Sequence, residues 1–233
     1  MLGIVGGMGP LASAELLHWI YTLQLEGESE QGDPSCALIS DPSVPDRTTA
    51  ILEGRADILL PPLESALERL LDLGAHRLAI ACVTIHHVVP QLPDRLRQPL
   101  VSLIDLTIDA LEQRPGRHLL LCTLGTRRAR IFQDHPRWPT VAERIVHLEP
   151  DDAEAIHRTL YDLKRNRGKQ HAADSLPGLA RRYGAEGVVF GCTELHLLQR
   201  PLRAGGAEPT IAVVDPLYEL AFRARGLAGS ASS

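Results

Sequence analysis

Short apolar runs recur along the chain, separated by turn-forming and amphipathic segments. The first run, residues 2–7, leads into the glycine-rich turn Gly6-Gly7-Met8-Gly9-Pro10. Further runs of a length typical of buried strands lie at residues 36–40, 77–82, 119–123, 187–191 and 210–214. Because strands that alternate with helices are typical of one fold class, this pattern predicts an α/β fold with largely parallel sheets.

Apolar residues at helical spacing predict the helices between these strands. The spacing is clearest over residues 11–23, 48–73 and 151–165. Pro61-Pro62 is expected to interrupt the second of these segments, because proline lacks the backbone donor that a helix interior needs. A closing helix is predicted after Asp215-Pro216, and the small polar residues 226–233 are expected to fray.

The chain contains an internal repeat, and each copy ends in a cysteine. Gly74-Ala75 is followed by an apolar run and then by Cys82, eight positions after the glycine. Gly184-Ala185 is followed in the same way by Cys192, again eight positions after its glycine. The repeat predicts two pseudo-symmetric Rossmann-like lobes, the first formed by residues 1–98 plus 208–233 and the second by residues 99–207.

Both repeat cysteines follow a predicted strand, and ligands of open α/β sheets bind beyond the carboxyl ends of the strands. We therefore expect Cys82 and Cys192 to face each other across the cleft between the lobes. A helix N-terminus next to each thiol would lower its pKa from the free value of about 8.5. Two such thiols suit cofactor-independent racemisation, in which one removes a proton from a carbon acid and the other returns a proton to the opposite face.

Composition limits the class of protein further. The 233 residues are 44% hydrophobic and 4% aromatic, with a net charge of -5. A negative charge and few aromatic residues argue against a nucleic-acid partner, although arginines cluster near residues 127–130 and 165–167. No segment approaches the ~18 consecutive apolar residues of a membrane span, so we expect a cytoplasmic protein with no membrane partner.

The remaining candidate ligands and thiols receive structural interpretations. None of the four cysteines lies in a Cys-x-x-Cys pair, so free thiols are expected, and Cys36 and Cys122 are assigned to the interior of strands. The adjacent His86 and His87 are poorly spaced to share one metal ion, and no metal is expected. Glu194 is interpreted as a first-turn carboxylate that complements a helix dipole, with a proton relay as the alternative.

Several motifs in their order along the chain resemble the aspartate/glutamate racemase family, most closely its aspartate racemase branch. They are Gly6-Gly7-Met8-Gly9-Pro10, Pro45-Asp46-Arg47-Thr48, Cys82-x-Thr84-x-His86, Thr123-x-Gly125-Thr126, Tyr161-x-x-Lys164, Gly191-Cys192-Thr193-Glu194-Leu195 and Asp215-Pro216. The resemblance implies an active site between two lobes, no cofactor or metal, a small acidic amino-acid substrate and a homodimer. It implies that Cys82 and Cys192 are the acid/base pair.

The resemblance also implies roles for the residues around the thiols. Arg47 would bind the side-chain carboxylate of aspartate through its planar fork of donors, and Lys164 would add a positive charge there. The remaining groups would hold the α-carboxylate and the amino group, stabilising charge as it develops on the substrate. They are the threonines Thr84, Thr126 and Thr193, with backbone amides near Met8 and Gly9.

The chain departs from the family pattern at positions near the expected ligand. Val83, which is also expected to bind the substrate, replaces an asparagine that usually follows the first cysteine, and Ile85 is larger than the usual alanine. Ala129 and Phe132 occupy positions where the family often has a small hydroxyl residue and a tyrosine. Two alternatives therefore stay open: the same fold acting on a different acid, as in maleate isomerases, decarboxylases and hydantoin racemases, or a non-catalytic protein that binds an acidic ligand.

Overall fold

The computed structural model of the chain describes residues 1–23, 30–203 and 211–229. Within these ranges the strands form two four-stranded parallel sheets. The first sheet has the order β2-β1-β3-β4, with β1 (Leu2–Gly6), β2 (Cys36–Ser40), β3 (Arg77–Ile80) and β4 (Leu100–Val101). The second has the order β6-β5-β7-β8, with β5 (His118–Cys122), β6 (Ile145–His147), β7 (Gly187–Gly191) and β8 (Ala212–Val214).

Helices connect the strands and cover the faces of the sheets. The helices of the first half are α1 (Pro10–Thr22), α2 (Arg47–Leu52), α3 (Leu60–Asp72), α4 (Asp94–Arg97) and α5 (Leu103–Gln113). The helices of the second half are α6 (Leu124–Arg128), α7 (Pro150–Lys164), α8 (Lys169–Arg182), α9 (Gln199–Leu202) and α10 (Pro216–Gly229). No helix in the described ranges is long and apolar enough to cross a membrane.

The two sheets have the same topology, which confirms the predicted α/β fold with two lobes. In each copy of the internal repeat the first strand, β1 or β5, lies between the second and third strands of the same copy. Gly74 and Gly184 end the helices α3 and α8 in the left-handed conformation, with φ of 88° and 60°. Both glycines therefore occupy the position after a helix where a side chain would be strained.

Some boundaries differ from the sequence-based expectation. Leu100 and Val101, expected in the second lobe, form β4 and pair with β3 of the first sheet. Residues 212–214, expected with the first lobe, form β8 and pair with β7 of the second sheet. The predicted strand position 210 and the tail residues 230–233 lie outside the described residues.

Pro61 and Pro62 begin a helix rather than interrupt one. They are among the first residues of α3, where a backbone N–H would have no partner inside the helix. The actual break precedes them: α2 ends at Leu52, and a short 3-10 segment, Ala56–Leu59, leads into α3. The long helical segment predicted over residues 48–73 is thus two helices with a bend between them.

One hydrophobic core joins the lobes. It includes Leu2 and Ile4 of β1 and also Leu120 of β5 and Val189 of β7, packed around α1, α5 and α10. Each lobe also has its own core: the first lobe beneath α3, and the second beneath α7 and α8. The shared core packs the two sheets against each other, and the predicted site residues lie where the carboxyl ends of the sheets meet.

Candidate active site

A small closed cavity lies where the carboxyl ends of the two sheets meet, and we call it the site cavity. Residues of the first lobe that line it include Met8, Arg47, Cys82, Val83 and Thr84. Residues of the second lobe that line it include Thr123, Lys164, Cys192, Thr193 and Glu194. The structure thus brings together both predicted catalytic cysteines and six of the eight predicted binding residues; Gly9 and Thr126 lie just behind the lining.

The free volume of the site cavity is about 10 Å³, close to what a single water molecule requires. A larger cavity of about 530 Å³ lies between residues 86–105 and residues 129–136, but it contains neither thiol. The reactive groups therefore belong to the smaller cavity. Because an amino acid is much larger than one water molecule, the cavity must widen before it can hold a substrate between the thiols.

The Cys82 thiol is 4% exposed and lies two residues beyond the end of β3. His86 fixes the backbone there: its Nδ1 donates to the Cys82 carbonyl at 2.8 Å, and its Nε2 accepts from the Leu103 N–H at 3.3 Å. The contact at Nε2 requires the neutral ring, and burial lowers the His86 pKa to about 4. His86 is thus a positioning residue between Cys82 and the start of α5, a role that its place in the motif did not reveal.

The Cys192 thiol follows β7 directly and is 3% exposed. Its Sγ donates a hydrogen bond to Oε2 of Glu194 at 2.8 Å. Burial and the adjacent Glu194 carboxylate raise the pKa of Cys192 well above its ordinary value. The expectation that a helix N-terminus lowers the pKa of this thiol is therefore wrong, because the 3-10 turn Thr193–Leu198 that follows is too short to outweigh burial and a negative neighbour.

Arg47 is the first residue of α2, and its guanidinium is held from three sides by backbone. Its Nη1 donates to the carbonyls of Val44 and Pro45, and its Nη2 donates to the Met8 carbonyl at 2.9 Å. Burial alone would lower the pKa of Arg47, but the neighbouring Cys82, Asp46 and Glu194 raise it. The side chain is therefore a fixed positive charge beside the Cys82 thiol.

Asp46 links the two lobes and was missed as a site residue. It caps α2 by accepting from the Thr49 N–H at 2.9 Å, and it contacts Tyr161 and Lys164 of α7 in the other lobe. Burial would raise the pKa of Asp46, but these three contacts outweigh burial and lower the pKa to about 2. Lys164 lies 3.3 Å from the carboxylate and 4.0 Å from the centre of the Tyr161 ring.

Three threonine hydroxyls form a second link between the lobes. The Thr84 hydroxyl lies 2.9 Å from that of Thr126 and 3.3 Å from that of Thr123. Thr123 also caps α6 by accepting from the Thr126 N–H at 3.0 Å. Thr126 therefore supports the cavity wall through Thr84 instead of lining the cavity itself.

Some polar atoms at the cavity have no partner although they are buried. Among the described residues these include the Arg47 Nε and the Thr193 Oγ1. A buried polar group without a hydrogen bond costs about 1 to 3 kcal/mol, so these two donors are available to a ligand or a water molecule. The Gly9 N–H, expected to bind substrate, is instead occupied by Oε1 of Glu194 at 3.1 Å.

Of the four departures from the family pattern, only Val83 lines the site cavity. Ile85 is buried in the core of the first lobe, and Phe132 packs against Trp138 with ring centres 5.8 Å apart. Ala129 lines the larger cavity. Among the four departures, Val83 is therefore the one position where an apolar side chain replaces a polar one at the wall of the site cavity.

The turn that carries Glu194 is fastened to α10 by a buried carboxylate. Asp215 accepts from the His196 Nδ1 at 2.6 Å and from the Gln199 Nε2 at 2.8 Å. Its other oxygen accepts from the Leu217 N–H at the start of α10. The Asp215-Pro216 motif thus positions the cavity wall from behind.

The other thiols and the histidines do not form a second centre. Cys36 begins β2 and Cys122 ends β5, and both are partly buried free thiols. Burial raises the pKa of Cys122 to about 12, which keeps this thiol protonated at neutral pH. In the described part of the chain, no group of three or more histidine, cysteine, aspartate or glutamate side chains could hold a metal ion.

Comparison with known proteins assigns the chain to a family. The sequence profile described as Asp/Glu/Hydantoin racemase matches residues 5–221, nearly the whole chain. The chain belongs to the Asp/Glu/hydantoin racemase family. This family assignment makes the two-thiol cavity the candidate active site of a racemase-family enzyme.

Solved structures share the racemase fold. Aspartate racemase from Picrophilus torridus superposes with a TM-score of 0.80 at 21% identity, covering 97% of this chain and 94% of that one. An aspartate racemase homologue from Pyrococcus horikoshii OT3 gives 0.64 at 22% identity, over 98% and 99% of the two chains. Glutamate racemase from Campylobacter jejuni subsp. jejuni gives 0.59 at 18% identity, over 94% and 83%. At these identities the likeness concerns the two-lobed fold.

Proposed function

We propose that the protein is an amino-acid racemase that interconverts the enantiomers of aspartate by two-thiol proton transfer and requires no cofactor. The observation that carries this proposal is the presence of two buried thiols, Cys82 and Cys192, from equivalent strands of the two lobes on one closed cavity. Enantiomers differ in the face of Cα that bears hydrogen. A pair of acid/base groups supplied by opposite lobes matches that symmetry.

The reaction needs one base and one acid at a time. One cysteine, as thiolate, takes the proton from Cα, so that an S–H bond forms and the C–H electron pair stays on carbon. The other cysteine, as thiol, gives its proton to the opposite face of Cα. For the reverse reaction the two cysteines exchange roles, and no redox change occurs.

The positive groups of the cavity support an acidic substrate. Arg47 and Lys164 are both held in place by neighbours, and the Arg47 Nε has no partner among the described residues. A carboxylate that accepted from Arg47 would satisfy this buried donor. The unpartnered Thr193 hydroxyl is a second donor for a carboxylate, and it can stabilise negative charge that spreads into the α-carboxylate during proton transfer.

Aspartate is the preferred candidate over glutamate. The aspartate racemase from Picrophilus torridus superposes with a TM-score of 0.80, against 0.59 for the glutamate racemase from Campylobacter jejuni subsp. jejuni, and the site cavity is small. A shorter side chain needs less separation between the thiols and the guanidinium. Glutamate and related acidic amino acids belong to the same class and are compared in the experiment below.

A different acid is the second candidate, and Val83 favours it. Val83 is 1% exposed and lines the site cavity, where it presents methyl groups instead of an amide. An apolar wall beside Cys82 would suit a substrate without a polar group at that point. Maleate, an arylmalonate and a hydantoin represent the reactions that this second candidate covers.

Chiral chromatography of purified protein with a panel of substrates tests the proposal. L- and D-aspartate, both glutamate enantiomers, a neutral amino acid, maleate, an arylmalonate and a hydantoin are incubated without added cofactor. Racemisation of aspartate above the other compounds is expected. Turnover of another compound in place of aspartate would favour the second candidate, while thermal stabilisation by aspartate without any turnover would indicate a non-catalytic binder.

A further inference from the structure

Glu194 holds a position that its expected structural role does not explain. A first-turn carboxylate that served only the dipole would face backbone N–H groups of its own helix. Glu194 instead turns across the site cavity: Oε1 accepts from the Gly9 N–H of the other lobe, and Oε2 accepts from the Cys192 thiol. The residue is 2% exposed, and glutamate is rarely so buried unless it is paired.

The charged groups around this pair come from several elements. Lys164 of α7 and Arg47 of α2 are the positive groups that face Glu194, and both interact with it electrostatically. Asp46 lies beside the two cations, and Cys82 lies beside Arg47. The two thiols therefore have different surroundings: Cys82 has a guanidinium as neighbour, whereas Cys192 has a carboxylate in hydrogen-bond contact.

We propose that Cys192 and Glu194 share one proton, and that Glu194 takes this proton when Cys192 acts as the base. This inference rests on the proposed racemase function, which it deepens by assigning the proton between Cys192 and Glu194. While Glu194 is a carboxylate, Cys192 is the thiol that donates to it. Glu194 touches the reacting sulfur and not the substrate carbon.

The proton transfers balance in both directions. When Cys82 removes the Cα proton, the Cys192 thiol delivers its proton to the opposite face, and Glu194 takes a proton from solvent as Cys192 becomes a thiolate. When Cys192 is the base, its S–H proton moves to Oε2, so an O–H bond forms as the S–H bond breaks. The Cys192 thiolate then takes the Cα proton, and Cys82, which is in its thiol form in this direction, gives its own proton to the other face. Glu194 afterwards releases its proton to solvent.

Without a carboxylate, the Cys192 thiol has no adjacent negative charge to oppose its ionisation. The test is therefore the ionisation of Cys192 itself, because an equilibrium constant of one forces kcat/KM to be equal in the two directions whatever Glu194 does. The ultraviolet absorbance of thiolates is titrated against pH in the variant Cys82→Ala. Subtracting the titration of Cys82→Ala/Cys192→Ala isolates Cys192 from the remaining thiols.

The midpoint for Cys192 is expected above the ordinary thiol range, and Glu194→Gln in the Cys82→Ala background is expected to lower it by at least about one pH unit. Glu154→Gln, an exposed carboxylate on α7, is the matched control and should leave the midpoint unchanged. A midpoint that Glu194→Gln leaves unchanged or raises would overturn the proposal. If circular dichroism shows that Glu194→Gln does not fold, the Cys82→Ala variant alone still tests the proposal. A Cys192 midpoint in Cys82→Ala at or below that of a free thiol would overturn the proposal.

Failure of this inference is separable from failure of the proposed function, because the titration needs no substrate. If the wild-type protein racemises aspartate but Glu194→Gln leaves the Cys192 midpoint unchanged, the proposed racemase function stands and the proposed role of Glu194 is wrong. If Glu194→Gln lowers the Cys192 midpoint as expected but the wild-type protein racemises nothing, the proposed function is wrong. The proton shared by Cys192 and Glu194 would then still be supported. Racemisation together with the expected shift supports both.

Discussion

Tyr161 donates a hydrogen bond to Asp46, with 2.8 Å between the phenolic oxygen and Oδ1, and the two residues belong to different lobes. Lys164, one turn along the same helix, lies 3.3 Å from the other oxygen of that carboxylate. Together with the threonine hydroxyls, these contacts hold the lobes closed over the thiols. The site cavity is too small for a substrate, so we expect these contacts to loosen when a substrate binds.

The charge of Asp46 should make stability depend on acid pH. Because the folded state lowers its pKa from 3.8 to about 2, the charge contributes stability fully above about pH 4, and this contribution is lost as the pH falls toward 2. Asp46→Asn keeps a good helix cap but removes the charge. At neutral pH the variant should unfold more easily by about 1 to 2 kcal/mol, allowing for partial exposure of the side chain.

Denaturant unfolding of both proteins at several pH values measures this dependence. The difference in unfolding free energy should shrink steadily between about pH 4 and pH 2. A difference that stays constant over this range would show that the lowered pKa of Asp46 does not stabilise the closed lobes.

Close contact between the lobes should require glycine at position 125. A Cβ on Gly125 of α6 would lie 2.7 Å from the Cα of Thr48 in α2, so Gly125→Ala must push the two helices apart. We expect a lower melting temperature and at least a tenfold loss of kcat/KM, which corresponds to about 1.4 kcal/mol. Gly178→Ala in α8 is the control, since a Cβ there would meet nothing within 4 Å. Equal behaviour of the two alanine variants would refute the contact argument.

Arg47 should not be replaceable by lysine. An ammonium keeps the charge but cannot donate to three backbone carbonyls and also offer a guanidinium edge to a substrate. Arg47→Lys should reduce kcat/KM by roughly 10- to 100-fold, as expected for a lost hydrogen bond to a charged group. Steady-state kinetics alongside Arg55→Lys, an exposed arginine paired with Glu53, provide the comparison. Retention of wild-type kcat/KM in Arg47→Lys would exclude a substrate contact.

Val83 should control which acid is preferred. Val83→Thr adds a hydroxyl with nearly the same shape at the wall of the site cavity. We expect the kcat/KM for aspartate, relative to the other acids of the panel, to rise by a few-fold to tenfold, because one neutral hydrogen bond contributes about 0.5 to 1.5 kcal/mol. Ile85→Val, in the lobe core away from the cavity, is the control. An unchanged preference in Val83→Thr would show that this wall does not contact the substrate.

The sequence predicted the fold because the signals were local and repeated. Strand runs ending in glycine turns, and the equal Gly-to-Cys spacing at Cys82 and Cys192, were enough to indicate two similar lobes. The two-residue strand at Leu100 and the pairing of residues 212–214 could not be foreseen, since so short a run gives no periodicity. Their sheet membership depends on tertiary pairing.

The site was predicted less completely, for a physical reason. The cysteines were predicted from the internal repeat, and Arg47 and Lys164 from the family resemblance; the structure places all four on the site cavity. The lobe-bridging contacts of Asp46 and the support from His86 depend on which lobe each side chain faces. For Glu194 the sequence left a proton relay as the alternative, and its contacts with Cys192 and Gly9 are what favour that alternative. Helix-dipole reasoning failed at Cys192 because desolvation and a carboxylate at 2.8 Å act more strongly than a short turn.

Both thiols are expected to transfer protons at Cα, and racemisation in deuterium oxide by single-cysteine variants tests this expectation most directly. Wild-type protein should convert L-aspartate to D-aspartate that carries deuterium at Cα, with no cofactor added. Cys82→Ala and Cys192→Ala should each lose racemisation, while Cys36→Ala, which removes a thiol outside the site cavity, should retain it. Full turnover in both directions by either Cys82→Ala or Cys192→Ala would contradict the two-thiol account.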